Sequence, residues 1–240
     1  MGKLGKKIRR KQQWLAESSC CFQNQPKCTM KYEWRKSEKE LYLPKAKPAK
    51  VIVPAFKFIS ISGEGNPNSS QFAECISVLY SLSYAVKMTL KKISDPPEGY
   101  QDYTVYPLEG DWDINAAAKA KFDGTINKDD LIFTIMIRQP NFVNKAFFEE
   151  MLAVTKKKKP QPLLENARFE TKEEGPCLQM LHVGSYDNEA ESFSKMEAYA
   201  KEAGLERLSK THREIYLTDF RKVPVEKLKT VLRFKVKCEA

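Results

Sequence analysis

Glu214 and Tyr216 stand two residues apart in the run HREIYLTDF. Side chains alternate across a strand, so the two share one face while Ile215 and Leu217 take the other. If the apolar pair turns toward helices, Glu214 lies on the opposite face with aromatic residues around it. A carboxylate in such surroundings can pair with a ligand cation, or act as a general base with a raised pKa. The same residue can equally be a surface glutamate bonded to Arg213 or Lys235. Trp112 follows Gly110-Asp111 just after an expected strand, where an indole serves either as a core lid or as a ligand platform.

Tyr80, Tyr84, Tyr103, Tyr106, Tyr186 and Phe193 add aromatic surface of the kind that suits flat or cationic ligands. Tyr80 and Tyr84 also sit at helical spacing, where core packing explains them as well. His182 falls late in a strand and opposite in phase to Leu181, so it reads as a structural hydrogen-bonder or a site residue. Glu64 reads as a solvated turn residue. GEGNPN at 63–68 is only loosely like a phosphate-binding loop and has no lysine after it. GxSxG, P-loop, GxGxxG and HExxH patterns are all missing. With two histidines and no CxxC pair, neither a metal site nor a cofactor is expected.

The elements that must carry these residues follow from periodicity and punctuation. Residues 32–40 read as a short helix with an extended arm after it. VIVPAFKFISISGEG is a strand from 51 to 63, broken at Pro54. Asn68 or Ser69 can cap a helix over 70–92, whose apolar residues recur at three and four. Strands are expected at 102–108 and 130–138, with a loop or short helical excursion between them. A helix at 142–158 follows. Its Lys156–Lys159 run is read as a solvated end facing the negative helix pole, rather than a nucleic-acid site.

The second half repeats this plan, with a strand at 177–183, a helix at 188–203, and strands at 212–218 and 229–237. FISISGEGN matches MLHVGSYDN, YTVYPLEG matches REIYLTDF, and LIFTIMIR matches TVLRFKV. In that alignment Thr104 and Tyr106 stand against Glu214 and Tyr216. The expected fold is α+β: two strand–helix–strand–strand repeats, about 51–140 and 165–238. They should share a largely antiparallel sheet, helices on one side, a pseudo-twofold axis and a ligand groove between the repeats.

Composition narrows the classes. The chain has 240 residues, 42% of them apolar, which is enough for a sizeable core. No apolar run approaches the ~20 residues that span a bilayer. The net charge is +10, but residues 1–30 hold seven basic residues against one acid and so carry six of those charges. The body is only mildly basic, a poor argument for specific nucleic-acid binding. The six cysteines are scattered or lie near the start, which suggests a reducing, cytoplasmic setting. Residues 1–29 lack the apolar stretch of a secretory signal and read as a disordered basic extension, with Met30 as the natural start.

Several blocks together resemble the GyrI-like small-molecule-binding family in its stand-alone form. They are KYEWRKSEKELYLPK at 31–45, FISISGEGNPNS at 58–69, YTVYPLEGDW at 103–112, HVGSYDNEAESF at 182–193 and HREIYLTDFRKVPVEKLKTVLR at 212–233. The resemblance covers about 30–240, and no helix-turn-helix region accompanies it. It implies a duplicated fold of the SHS2 type with a ligand groove between the repeats, and aromatic or cationic xenobiotics as ligands. One subfamily it resembles opens the cyclopropane of DNA-alkylating natural products within an aromatic cage and so protects the cell. Carried over by resemblance, Glu214 and Tyr216 are the catalytic candidates. Trp112, Tyr186, His182, Tyr84, Tyr106 and Phe193 are the ligand-binding ones. Ser185-Tyr186 stands where many members have Pro-Tyr.

Three functions follow as expectations: a hydrolase of cyclopropanoid electrophiles, a passive small-molecule binder, and a module that occupies a protein partner. The first is preferred, with a small aromatic or cationic ligand, no specific nucleic acid, no membrane, and a monomer or weak homodimer.

Overall fold

Pro54 has no N–H to give to a sheet ladder, and the first extended run breaks there. The computed structural model describes residues 30–219 and 221–238. In it, β1 (Ala49–Val53) stops just before Pro54 and β2 (Phe56–Glu64) starts two residues later. The expected extension over 1–29 lies outside the described residues. The expected helix at 32–40 is two single turns instead, α1 (Trp34–Ser37) and α2 (Lys39–Tyr42). The long α3 (Ser70–Leu90) is capped by Ser69, whose Oγ accepts from the Phe72 N–H at 3.2 Å.

The strand expected at 102–108 lies later. Tyr103 makes only an isolated bridge to Tyr32, and β3 runs Leu108–Ile114, so Trp112 belongs to a strand and not to a loop. Pro107 separates the two stretches. Asp111, an unfavourable strand residue, is held there by Arg213 and Lys172. Next come α4 (Ala116–Ala120), β4 (Leu131–Gln139) and α5 (Lys145–Lys158). After them, β5 (Arg168–Lys172) is a strand the sequence reading did not foresee. The second half brings β6 (Gly175–Val183), α6 (Glu189–Glu202), the short and unforeseen β7 (Leu205–Arg207), β8 (His212–Tyr216) and β9 (Lys229–Cys238).

The fold is α+β. Its sheet is antiparallel throughout and ordered β1-β6-β9-β8-β3-β4-β2-β5, with β7 added beside β9. The order β2-β4-β3 on one side of the centre is matched by β6-β9-β8 on the other. Register decides which side chains face which way. Ile59 pairs with Ile137, Ile137 with Leu108, Leu108 with Tyr216 and Tyr216 with Thr230, so all five share one face. On that face α3 packs on β2 and β4, while α6 packs on β6 and β7. Leu79, Leu82, Ile59, Ile135 and Ile137 are fully buried between the first pair of layers. Each such side chain stabilises the fold by roughly 1.5–3 kcal/mol. Leu178, Met180, Met196, Leu232 and Phe234 form a smaller core beneath α6.

The opposite face is buried too, and it is charged. Arg213 donates to both Asp111 oxygens at 2.7 and 3.0 Å and to Glu174 at 2.9 Å. Arg233 also donates to Glu174, at 3.0 Å, and to the Leu41 carbonyl at 2.8 Å. Arg138 pairs with Glu38 and bonds the Tyr42 hydroxyl at 3.1 Å. These bonds tie the segment carrying α1 and α2 across the back of the sheet.

Candidate functional site

Because α3 and α6 sit over different strands, the middle of the helix-bearing face is uncovered. The sheet order puts β8 and β3 there. Their side chains Leu108, Trp112, His212, Glu214 and Tyr216 form the floor of a groove of about 2100 Å³. Phe72, Ile76, Tyr80 and Tyr84 reach it from α3, and Glu189, Phe193 and Glu197 from α6. Glu214 and Tyr216 therefore face the helices, so the condition under which Glu214 would lie on the opposite face is not met. Ile215 is buried instead on the back face, which the α1–α2 segment covers. Burial of both faces makes alternation alone unable to choose between them.

Glu214 is 9% exposed and is the hub of a polar cluster. His212 Nε2 donates to its Oε1 at 3.2 Å, a carboxyl oxygen of Glu189 lies within 4.8 Å of it, and the Tyr216 phenol is a close neighbour. The Tyr216 hydroxyl in turn accepts from the Trp112 indole N–H at 2.9 Å. Burial, and then the negative charge of Glu214, push the Tyr216 phenol well above its ordinary range, so it stays protonated.

Glu189 opens α6, where the helix dipole favours a charged carboxylate by about 0.3–1 kcal/mol. Burial and the neighbouring Glu214 outweigh that and push its pKa well up. That raised value favours the protonated form of Glu189. Its Oε1 is buried and has no hydrogen-bond partner among the described residues. Donor atoms of Glu189, His212 and Glu214 lie within 4.8 Å of one another, close enough to share a cation.

The charge pattern separates the two faces. On the back face Glu38, Glu109, Asp111 and Glu174 each meet an arginine. In the groove neither Glu189 nor Glu214 has a lysine or arginine partner among the described residues. The alternative reading of Glu214 as a glutamate paired with Arg213 or Lys235 fails on register, because Arg213 points to the other face.

Trp112 is 5% exposed and packs on Phe72 and Phe133, with ring centroids 5.6 and 5.5 Å away. Gly110 makes room for it: a Cβ there would lie 2.7 Å from the indole nitrogen. Tyr186 stands edge-on to Tyr216 at 5.9 Å, and burial raises its phenol to about 12. Phe193 meets the His212 ring at 4.7 Å. Tyr84 is half exposed on the α3 wall and stands 6.4 Å from Tyr80. Tyr106 reaches the groove edge, but its hydroxyl donates to Glu38 at 2.9 Å and its ring lies under Arg138.

His182 does not line the groove. Its Nε2 donates to the Ser185 carbonyl at 2.9 Å, so its Nδ1 accepts from the Ser192 hydroxyl at 2.9 Å. It acts from behind, pinning the turn that carries Tyr186 and the first turn of α6. Tyr103 is buried against Phe142, away from the groove. Glu189, Phe72 and His212 are among the groove residues that sequence reasoning missed. An acid in a first helical turn is ordinary, and Phe72 reads as one more apolar residue of the α3 stripe.

The GyrI-like small molecule binding domain matches residues 46–237. A crystal structure of a hydrolase from Listeria innocua is 33% identical, with a TM-score of 0.76; the likeness covers 86% of this chain and 100% of that one. An uncharacterized conserved protein from the same organism is 35% identical with a TM-score of 0.78, over the same shares of both chains. No curated protein matches. No helix among the described residues is long and apolar enough to cross a membrane. With four-fifths of its length matched and these strand and groove positions in place, the chain belongs to the family of GyrI-like small-molecule-binding domains.

Proposed function

We propose that the groove between α3 and α6 binds flat aromatic or cationic xenobiotics and hydrolyses cyclopropanoid DNA-alkylating compounds. One observation carries the reading: Glu214 is buried on an aromatic-lined floor, bonded by His212 and close to Glu189, with no lysine or arginine partner among the described residues. A relative with the same fold is described as a hydrolase.

In the proposed reaction Trp112, Tyr186 and Phe193 hold the flat alkylating unit as an aromatic cage. Glu214 takes a proton from a water that attacks the strained methylene carbon. The ring C–C bond breaks, and its electrons reach the conjugated carbonyl, which becomes a phenol after taking a proton from solvent. Atoms balance as one water added per ring opened. Glu189, by holding a proton, leaves one carboxylate charged instead of two. Buried, unpaired Cys75 and Cys177 fit a reducing cytoplasm, where such protection would be needed.

A second reading has its own support. The net negative floor would hold an aromatic cation without any reaction. Incubating the protein with excess spirocyclopropane compound in oxygen-18 water separates the two. Ring-opened product in many-fold excess over protein, carrying the heavy oxygen, supports hydrolysis. Intact compound, at most one equivalent bound, supports sequestration.

A further inference from the structure

We propose that the Glu189–Glu214 pair also hydrolyses aryl esters, adding water to an acyl carbonyl held in the groove. This rests on the reading of the groove as a hydrolytic site and names a second substrate class for it. Ring opening of a spirocyclopropane uses only the base, because the oxygen that gains the electrons lies across the ring, several bonds from the attacked carbon. An acid in direct contact with the base cannot reach that oxygen. In an acyl group the attacked carbon bears the oxygen that gains the electrons, so the attacking water and that oxygen are neighbours.

A hydrogen-bonded acid and base can serve both atoms at once, as paired carboxyls do in aspartic proteases. A carboxyl oxygen of Glu189 lies within 4.8 Å of one of Glu214 on the groove floor, and the buried Oε1 of Glu189 has no hydrogen-bond partner among the described residues. Glu189 is only 7% exposed, so the unpaired oxygen is shielded from bulk water. The aromatic side chains of Trp112, Phe193 and Tyr186 beside the pair suit an aryl leaving group.

Each step balances. Glu214 takes a proton from water as the water oxygen bonds to the carbonyl carbon. The carbonyl electrons move to oxygen, which takes the Glu189 proton. The C–O(aryl) bond then breaks, and the aryl oxygen takes the proton from Glu214. One hydroxyl of the adduct returns its proton to Glu189 as the carbonyl reforms. The products are a carboxylic acid and a phenol, and the pair is restored.

The test is release of nitrophenol from 4-nitrophenyl benzoate by the full chain. We expect many saturable turnovers, cut about 100-fold or more in both Glu189→Gln and Glu214→Gln. On the unsubstituted protein we also expect a rate that falls at both low and high pH, since one partner must be charged and the other protonated. One equivalent released and then none, as acylation of a lysine gives, would overturn the proposal. So would turnover that both variants retain, or a rate that falls on the acid side alone. Ring opening measured on the same samples keeps the two readings apart. Ring opening without ester turnover overturns this proposal only; loss of both overturns the hydrolytic reading as well.

Discussion

Glu189, at the start of α6, and Glu214, in the middle of β8, bring carboxyl oxygens within 4.8 Å of each other in one buried site. Two charged carboxylates this close would repel, and burial together with Glu214 raises the Glu189 pKa accordingly. The pair also joins the α6 wall of the groove to its floor.

Removing the titrating group should change how stability depends on pH. Glu189 is raised in the folded state, first by burial and then by Glu214. Between the ordinary glutamate value and the raised one, the folded chain binds the proton more tightly than the unfolded chain does. Stability therefore falls as pH rises through that window. Glu189→Gln keeps a neutral donor and should unfold at higher urea than the parent on the alkaline side, by on the order of 1–3 kcal/mol. Below the ordinary glutamate value the two should converge.

Gly110→Ala should damage the site from below. The added methyl would stand 2.7 Å from the Trp112 indole nitrogen and 3.4 Å from the Tyr216 hydroxyl. The indole must move and its bond to Tyr216 must lengthen. We expect a loss of about 1–3 kcal/mol in stability, with a shifted tryptophan emission and weaker binding of aromatic ligands by fluorescence titration.

His182→Ala leaves the Ser185 carbonyl and the Ser192 hydroxyl without their ring partner. The cost should be about 1–3 kcal/mol. The turn bearing Tyr186 should then exchange its amide hydrogens faster. His182→Gln keeps a donor for Ser185 and should recover part of both losses.

Arg213→Ala tests the back face. It strips Asp111 and Glu174 of their closest cation and leaves Glu109 buried with less compensation. Chemical denaturation should show a loss of about 3–5 kcal/mol. Burial pushes Asp111 up, but the Arg213 guanidinium and Lys172 outweigh it and hold its pKa low. Its contribution is present above the ordinary aspartate value and is lost as pH falls through the folded value. The variant should lose that acid-side component.

Period-two spacing was enough to put Glu214 and Tyr216 on one face, and the helical stripe was enough to find α3. Which face they occupied was not legible, because Ile215 and Leu217 are as buried as a helix-facing pair would be. The α1–α2 segment that covers the back face of Ile215 is joined to the sheet by side-chain bonds between distant residues, such as Arg233 to the Leu41 carbonyl. Trp112 looked like a loop residue because Gly110 and Asp111 are poor strand formers. Gly110 is there for the indole and Asp111 for Arg213, both partners being tertiary. His182 kept its strand position but turned out to support the site from behind rather than line it. Glu189 carried no local sign at all, since its importance lies in one neighbour, Glu214.

The most direct measurement is turnover of a spirocyclopropane alkylator in oxygen-18 water, with the parent chain and Glu214→Gln run side by side. The account expects many equivalents of labelled, ring-opened product from the parent. From the variant it expects a rate lower by about 100-fold or more, with thermal unfolding of both showing that the variant is folded. Equal rates from the two proteins, or no turnover by the parent, would contradict the assignment of Glu214 as the base.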